Sequence, residues 1–280
     1  MSAKRKERFT VGLILWLSIS VSFGSLSVFA GAKQEAPGER VVKIGIVGDA
    51  ADQWKPVIGK LAGEGIKIEL VEFTEYVQPN RALQDGEIDL NSFQHYAYLE
   101  NEIKTKGYTL SPIGETLLAP LGLYSQKIKS VAELKSGDKI ALPNDVVNGG
   151  RSFRVLEKAG LIAIPESAGP TPSKFDITDN PLNLEFVEVE AAQTPRLLPD
   201  VTAAFINGGH AVNAGLNPER DSIALERQSG GSQNPYINII AARTDRKDDP
   251  VFKRIADEYR TDAVKQVLQT VYKGAFIPAW

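Results

Sequence analysis

Hydrophobic and polar residues alternate in short blocks along most of this chain, and the blocks predict strands separated by helices. Two early runs, "VVKIGIVG" and "GIKIELVEF", are rich in β-branched residues, as buried strands are. Further strand-like runs are "TLLAPLGLYS", "DKIALP", "NLEFVEVE", "VTAAFING" and "YINIIAAR". Strands that alternate with helical segments favour an α/β architecture with mainly parallel sheets.

The helical segments between these strands are identified by their apolar faces and their glycine stops. "DQWKPVIGKLA" predicts a short helix, "QPNRALQDGEID" a second one that stops at Gly86, and "YAYLENEIKTKG" a third that ends at Gly107. Another helix follows the loop "PNDVVNGG" and ends at Gly160. The long segment "DPVFKRIADEYRTDAVKQVLQTVYKG" predicts a single helix. Its apolar face comprises Val251, Ile255, Tyr259, Val264, Val267, Leu268 and Val271.

The spacing of the strands predicts two lobes joined by two crossover segments. "QKIKSVAELKSG" separates two strand-like runs and leads into the second lobe, and the chain returns near "SGGSQNPYINII". Gly230 and Gly231 predict a flexible joint at that return. Lobe 1 is predicted over residues 41–127 and 236–280, and lobe 2 over residues 128–235. A cleft between two such lobes is where small ligands usually bind.

The first thirty residues have the pattern of a secretory signal peptide. A basic start, "MSAKRKER", precedes the apolar run "VGLILWLSISVSF" and the small residues of "SLSVFAGA". Residues 1–30 are predicted to be removed, with cleavage after Ala30 or, as a second choice, after Ala32. Retention as a membrane anchor is the alternative. Residues 31–40 are polar, contain Gly and Pro, and predict a flexible leader.

Charge and cysteine content narrow the classes of function. The net charge of −3 becomes −6 after removal of the signal peptide, which has four basic residues and one acidic residue. Nucleic acid is not expected as a partner, because its phosphates require a basic face. The chain has no cysteine, so we expect no disulfide and no lipid-carrying cysteine after the signal. The expectation is a soluble, freely diffusing monomer secreted to the periplasm.

The segment "PNDVVNGGRSF" combines a glycine-rich loop, a predicted helix start and an arginine. A helix start attracts anions, because its N–H groups are unpaired. Gly149 and Gly150 would let a ligand approach the backbone, and the planar fork of Arg151 can hold a carboxylate through two hydrogen bonds. The alternative is a solvated arginine that follows a flexible turn.

Polar and aromatic residues in three other segments also suggest a binding site. In "DLNSFQHYAY", aromatic rings surround His95, and they either fill a core at a helix start or line a pocket for a small apolar ligand. Asn207 ends an apolar strand in "FINGGHA", where a simple turn is the alternative. Asn238 occupies a position in "NPYINII" where a strand should be apolar, so it either binds a ligand or braces a hinge.

Signals for catalysis and for metal binding are weak. Neither His95 nor His210 has a neighbouring nucleophile, and the GxSxG pattern is absent. Two histidines without cysteine cannot form a histidine-rich metal site. The acidic residues Asp85, Glu87 and Asp89 lack the closing glutamate of a calcium loop. We therefore expect no enzymatic activity, no metal and no cofactor.

Several segments, taken together and in order, resemble a known family. These are "EFTEYVQPNRALQDGEIDLNSFQHYAYL", "ALPNDVVNGGRSFRVLEKAGLI", "NLEFVEVEAAQTPR", "FINGGHA", "PYINII" and the final "GAFIPAW". The resemblance is to the methionine-binding substrate-binding proteins of ABC importers, the NlpA-type lipoproteins, and it covers nearly the whole chain after the signal. It implies a type II periplasmic-binding-protein fold whose two lobes close on a free amino acid, which is then delivered to an ABC permease.

The resemblance also implies which residues bind the ligand. An aromatic ring that encloses a thioether matches Tyr76, Phe93, His95 and Tyr98. The arginine that holds the carboxylate matches Arg151, and the asparagines that bind the polar head match Asn148, Asn207 and Asn238.

The sequence also departs from the family pattern. Gly209 and His210 stand where bulkier residues and a tyrosine are usual, Tyr96-Ala97 stands where a proline before the tyrosine is usual, and the lipid-anchoring cysteine is missing. Ligands other than L-methionine therefore stay open: D-methionine, a short methionine peptide or another apolar amino acid. A secreted hydrolase that uses the same cleft is disfavoured by the missing nucleophile–base pair. A surface protein with a vestigial cleft is disfavoured because Arg151, the asparagines and the aromatic set occur together.

Overall fold

The computed structural model describes residues 38–48, 50–226 and 234–280. The predicted signal peptide, most of the predicted leader and the predicted joint at Gly230 and Gly231 lie outside these residues. Within them, no helix is long and apolar enough to cross a membrane.

Strands and helices alternate along the described residues. The strands are β1 (Arg40–Val47), β2 (Ile66–Phe73), β3 (Leu90–Asn91), β4 (Leu110–Leu118), β5 (Leu121–Tyr124), β6 (Lys139–Pro143), β7 (Glu185–Val189), β8 (Ala203–Asn207), β9 (Ser222–Leu225), β10 (Ile237–Arg243) and β11 (Ile277–Pro278). The α-helices are α1 (Lys55–Ala62), α2 (Val77–Asp85), α3 (Tyr96–Lys106), α4 (Val146–Lys158), α5 (Gly208–Asn213), α6 (Pro218–Asp221), α7 (Pro250–Tyr259) and α8 (Asp262–Thr270).

The strands form two mixed sheets, of order β11-β4-β10-β3-β1-β2 and β7-β6-β8-β5-β9. In the first sheet β1 runs parallel to β2 and β3, whereas β10 runs antiparallel to β3 and β4. In the second sheet β6 runs parallel to β7 and β8, whereas β5 runs antiparallel to β8 and β9. The prediction of mainly parallel sheets is therefore correct for only part of each sheet. Every antiparallel pair includes β4, β5 or β10. These three strands and β9 are the strands on either side of the two passages between the sheets.

The chain passes from the first sheet to the second at Ala119 and Pro120. The run "TLLAPLGLYS" is therefore two strands in different sheets, β4 and β5, rather than one. Proline has no N–H group to continue a ladder of hydrogen bonds, which accounts for the break. This passage precedes the predicted lobe boundary after residue 127. The return passage lies between β9 and β10.

Each sheet packs its own apolar core. The first core includes Ile44, Trp54 and Leu61, and the second includes Leu123, Phe153 and Phe205. The predicted long C-terminal helix is instead two helices, α7 and α8, that pack against the first core. Its predicted face is nonetheless buried at Ile255, Tyr259, Val264 and Leu268, whereas Val271 is 50% exposed.

Helix α4 begins at Val146, inside the segment that the sequence predicted to be a glycine-rich loop. Asp145 caps it by accepting a hydrogen bond of 2.9 Å from the Asn148 N–H group. Gly149 and Gly150 are therefore helical. A Cβ atom at Gly149 would lie 2.9 Å from the Pro143 carbonyl oxygen, and one at Gly150 would lie 2.6 Å from Thr171 Cα. These glycines let the protein's own backbone pack against α4, a different role from the ligand approach that we predicted.

Gly150→Ala should therefore destabilise the protein, whereas Gly59→Ala is a matched control. Gly59 also lies inside a helix, but no atom lies within 4 Å of a Cβ atom built there. The backbone clash at Gly150 should lower the free energy of unfolding by about 1–3 kcal/mol. The control should raise it by roughly 0.5–1 kcal/mol. Urea unfolding measures both, and equal effects of the two substitutions would contradict the close packing of α4.

Candidate functional site

A cavity lies among residues that belong to, or adjoin, strands of both sheets. Its empty volume is about 760 Å³, including its opening to solvent. The structure brings all eight predicted binding residues to its wall: Tyr76, Phe93, His95, Tyr98, Asn148, Arg151, Asn207 and Asn238. Their contact with a ligand stays a prediction.

Part of the cavity wall is an aromatic box formed by Tyr76, Phe93, Tyr98 and His210. The Tyr76 ring centroid lies 5.8 Å from that of Phe93, 6.0 Å from that of Tyr98 and 4.9 Å from that of His210. Burial raises the pKa of both tyrosines, which therefore stay neutral. The sequence analysis did not place His210 in the site. Its position three residues after Asn207, at the end of a strand, was the available signal.

A buried network of amide side chains holds the segment that leads into this box. Asn80 Nδ2 donates to Gln94 Oε1 over 2.8 Å, and Asn80 Oδ1 accepts from Asn91 Nδ2 over 2.9 Å and from Gln94 Nε2 over 2.6 Å. All three side chains are at most 2% exposed. Such a satisfied network rigidifies its surroundings, and it fixes the positions of Phe93 and His95 on either side of Gln94.

His95 has a structural role in addition to lining the cavity. It caps α3, because its Nδ1 atom accepts a hydrogen bond of 3.1 Å from the Tyr98 N–H group. Burial and the neighbouring Arg151 lower the pKa of His95 to about 3, so the ring is neutral. A neutral ring that accepts at Nδ1 carries its proton on Nε2. A protonated Nε2 can donate toward Asn148 Oδ1, which lies 3.4 Å away. Arg151 Nη1 lies closer to Nε2, at 3.1 Å, but it is itself a donor and cannot accept this hydrogen bond.

A polar cluster of Asn148, Arg151 and Asn207 also lines the cavity, and Asp145 supports it through Asn148. Asn148 Oδ1 accepts from Arg151 Nη1 and from Asn207 Nδ2, each over 2.9 Å, and Asn148 Nδ2 donates to both carboxylate oxygens of Asp145. Burial raises the pKa of Asp145, although its bonds to Asn148 oppose that rise. Asn207 Oδ1 is buried and has no hydrogen-bond partner among the described residues.

Arg151 is held differently from the free fork that we predicted. Its side chain is 2% exposed, and its Nε and Nη2 groups donate to the carboxylate of Glu226, with a distance of 3.1 Å at Nε. Its guanidinium carbon lies 4.4 Å from the ring centroid of Tyr236. The Nε edge is therefore occupied, and Nη1 points to Asn148. The sequence analysis missed Glu226 and Tyr236, because both are distant from Arg151 along the chain.

Asn238 reaches the cavity from β10. Its backbone forms an antiparallel bridge with His95, and the next N–H group, of Ile239, donates to the Gln94 carbonyl oxygen over 2.9 Å. This pairing brings the strand of Asn238 against the segment that carries Phe93 and His95. Within residues 38–48, 50–226 and 234–280, no group of three or more His, Asp or Glu side chains could hold a metal ion.

Comparison with known proteins places the chain among lipoproteins. The model of the NlpA lipoprotein family matches residues 42–280. The D-methionine-binding lipoprotein MetQ of Salmonella typhimurium is 40% identical over 267 residues, which cover 94% of this chain and 97% of that protein. Lipoprotein 28 of Escherichia coli O157:H7 is 38% identical over 257 residues, covering 90% and 93% of the two chains.

Solved structures show the same fold. The structure of a nutrient binding protein from Burkholderia cenocepacia, bound to methionine, superposes with a TM-score of 0.81 at 38% sequence identity. The match covers 85% of this chain and 100% of that one. The predicted two-lobed periplasmic-binding-protein fold is confirmed.

The predicted localisation as a freely diffusing, untethered protein is contradicted by these comparisons. The matching family and both relatives are named as lipoproteins, a class that is held at a membrane by a lipid. A periplasmic location fits them. The expectation was wrong because it took the absence of cysteine from the sequence as sufficient evidence of a soluble form.

The ion pair of Arg151 and Glu226 should be strongly coupled in the ligand-free protein. Arg151→Leu leaves a mostly buried carboxylate without its partner, so it should lower the free energy of unfolding by about 3–5 kcal/mol. The double substitution with Glu226→Leu should lower it by clearly less than the sum of the two single effects. Urea unfolding of the four proteins gives this coupling. Additive effects of the two substitutions on the free energy of unfolding would show that the two side chains are not coupled.

Proposed function

Since the chain belongs to the NlpA lipoprotein family of substrate-binding proteins, we propose that it captures methionine, or a close relative of methionine, for import. The observation that carries the proposal is a single cavity that is lined both by an aromatic box and by a polar cluster. A free amino acid with an apolar side chain has the same division. Its thioether would lie among rings, where each sulfur–aromatic contact contributes roughly 0.3–1.5 kcal/mol.

The polar cluster would bind the charged head of the amino acid. Asn207 Oδ1, a buried acceptor without a partner among the described residues, would accept a hydrogen bond from the ligand's ammonium group. Arg151 would offer its Nη1 side to the ligand's carboxylate, since Glu226 occupies its Nε edge. Because Glu226 already balances the charge of Arg151, a zwitterion with no net charge suits this site.

The names of similar proteins support the same class of ligand. One relative is named for D-methionine, and one solved structure contains methionine. Both enantiomers therefore belong to the proposal. Another apolar amino acid or a short methionine peptide is the alternative within the same fold.

The proposed mechanism is closure of the two lobes on the ligand. Contacts from both sides of the cavity would stabilise the closed state, and that state would then dock on an ABC permease. The energy for transport would come from partner ATPase subunits, because the sequence has no phosphate-binding GxxxxGK pattern. In this proposal the protein acts as a monomer, and it binds and releases its ligand without changing it chemically.

Calorimetric titration with L- and D-methionine tests the proposal, and Phe93→Ala tests the aromatic box. Loss of ring contact and of buried area should weaken methionine binding by about ten- to a hundredfold. Phe175→Ala is a matched control, because the Phe175 side chain is 88% exposed and does not line the cavity. The control should bind methionine as tightly as the unmodified protein.

Two results would contradict the proposal. One is the absence of heat of binding with either enantiomer, after refolding has removed any ligand carried through purification. The other is an equal affinity of the Phe93→Ala variant and the unmodified protein for methionine, which would place the ligand's side chain elsewhere.

A further inference from the structure

His210 brings a polar atom into the aromatic box. Four buried side-chain atoms have no hydrogen-bond partner among the described residues, namely Trp54 Nε1, Tyr124 Oη, Asn207 Oδ1 and His210 Nε2. Only the last two of these four belong to residues that line the cavity. Asn207 belongs to the polar cluster and was assigned above to the ligand's ammonium group. His210 belongs to the aromatic box, and the assignment of Asn207 leaves its Nε2 atom unexplained.

The position of the His210 ring is well defined by its neighbours. The residue is 7% exposed, and its ring lies against Tyr76, with 4.9 Å between centroids and 31° between planes. Tyr76 is in turn a neighbour of Phe93 and Tyr98. His210 therefore forms the wall of the box on the side of the second sheet, because it is carried by α5, directly after β8.

The chemical state of the ring restricts what Nε2 can do. Burial lowers the pKa of His210 to about 4, so the ring is neutral near pH 7. A neutral imidazole has one N–H donor, on Nδ1 or on Nε2. In the Nε2–H form, this donor is the buried atom that has no partner among the described residues. A buried N–H donor without an acceptor costs free energy. A hydrocarbon side chain that filled the box would offer no acceptor, so this cost would remain. A thioether sulfur is a weak acceptor and would relieve it.

We propose that His210 is a specificity-determining residue, whose Nε2–H group donates a hydrogen bond to the sulfur of the ligand's side chain. This inference rests on the proposed function and deepens it. Rings alone would accept any apolar side chain of suitable length. The His210 donor makes the box distinguish methionine from norleucine, in which a methylene group replaces the sulfur.

Titration of the full chain with L-methionine and L-norleucine tests this role. The unmodified protein should bind methionine about tenfold more tightly than norleucine, as expected when a buried donor loses its acceptor. His210→Phe keeps a ring against Tyr76 but removes the donor, so the ratio of the two affinities should fall to near one. Most of that change should come from weaker binding of methionine, because norleucine offers no acceptor to His210 in the unmodified protein either.

His210→Gln is the matched variant that separates hydrogen bonding from packing. Its amide N–H₂ group can replace the imidazole donor, so the preference for methionine over norleucine should be retained. Thermal unfolding of each variant shows that the binding constants refer to folded protein. If one variant does not fold, the ratio of the methionine and norleucine affinities is still compared between the other variant and the unmodified protein.

The outcomes distinguish this inference from the proposed function. If neither amino acid binds, the proposed function fails. If the unmodified protein binds methionine and norleucine equally, the function stands and the role of His210 is overturned. It is also overturned if His210→Phe keeps the tenfold ratio, because the discrimination would then come from other groups.

Discussion

The hydrogen bonds of the Asn148 side chain are the constraint on which the site depends. Its one carbonyl oxygen is shared by Arg151 from the same helix and Asn207 from the end of β8, with His95 from the start of α3 at a longer distance. Its amide group is held by Asp145, which also caps α4. One side chain thus links three segments, one beside the first sheet and two beside the second. The relative positions of the cavity walls follow from these contacts.

Charge in the site is balanced before any ligand enters. Arg151 is almost fully buried, and Glu226 supplies the opposite charge at its Nε edge. An unpaired buried charge would be strongly unfavourable, so this pair lets a guanidinium group lie beside a neutral His95. The same pairing limits how a ligand can use Arg151, because only part of the guanidinium is left to face the polar cluster.

The aromatic box shows how a few substitutions can tune a shared site. Tyr76, Phe93 and Tyr98 come from one side of the cavity, and α5 supplies His210 from the other. A phenyl or phenol ring at position 210 would also stack on Tyr76. An imidazole adds ring nitrogens to the box, so the choice of residue affects the polarity of the box more than its shape. In our proposal, this difference decides which side chain the box accepts.

Apolar periodicity is a short-range signal, so the sequence alone predicted most of the longer strands and helices. The resemblance to the methionine-binding proteins of ABC importers implied the eight residues that the structure brings to the cavity wall. Only the tertiary structure decided the partners of those residues. Glu226 lies 75 residues from Arg151, and no pattern along the chain indicates that they meet. The close packing of Pro143 and Thr171 against Gly149 and Gly150 is likewise visible only in the tertiary structure. Packing sets these contacts, since a side chain's environment is built by segments that are distant in sequence.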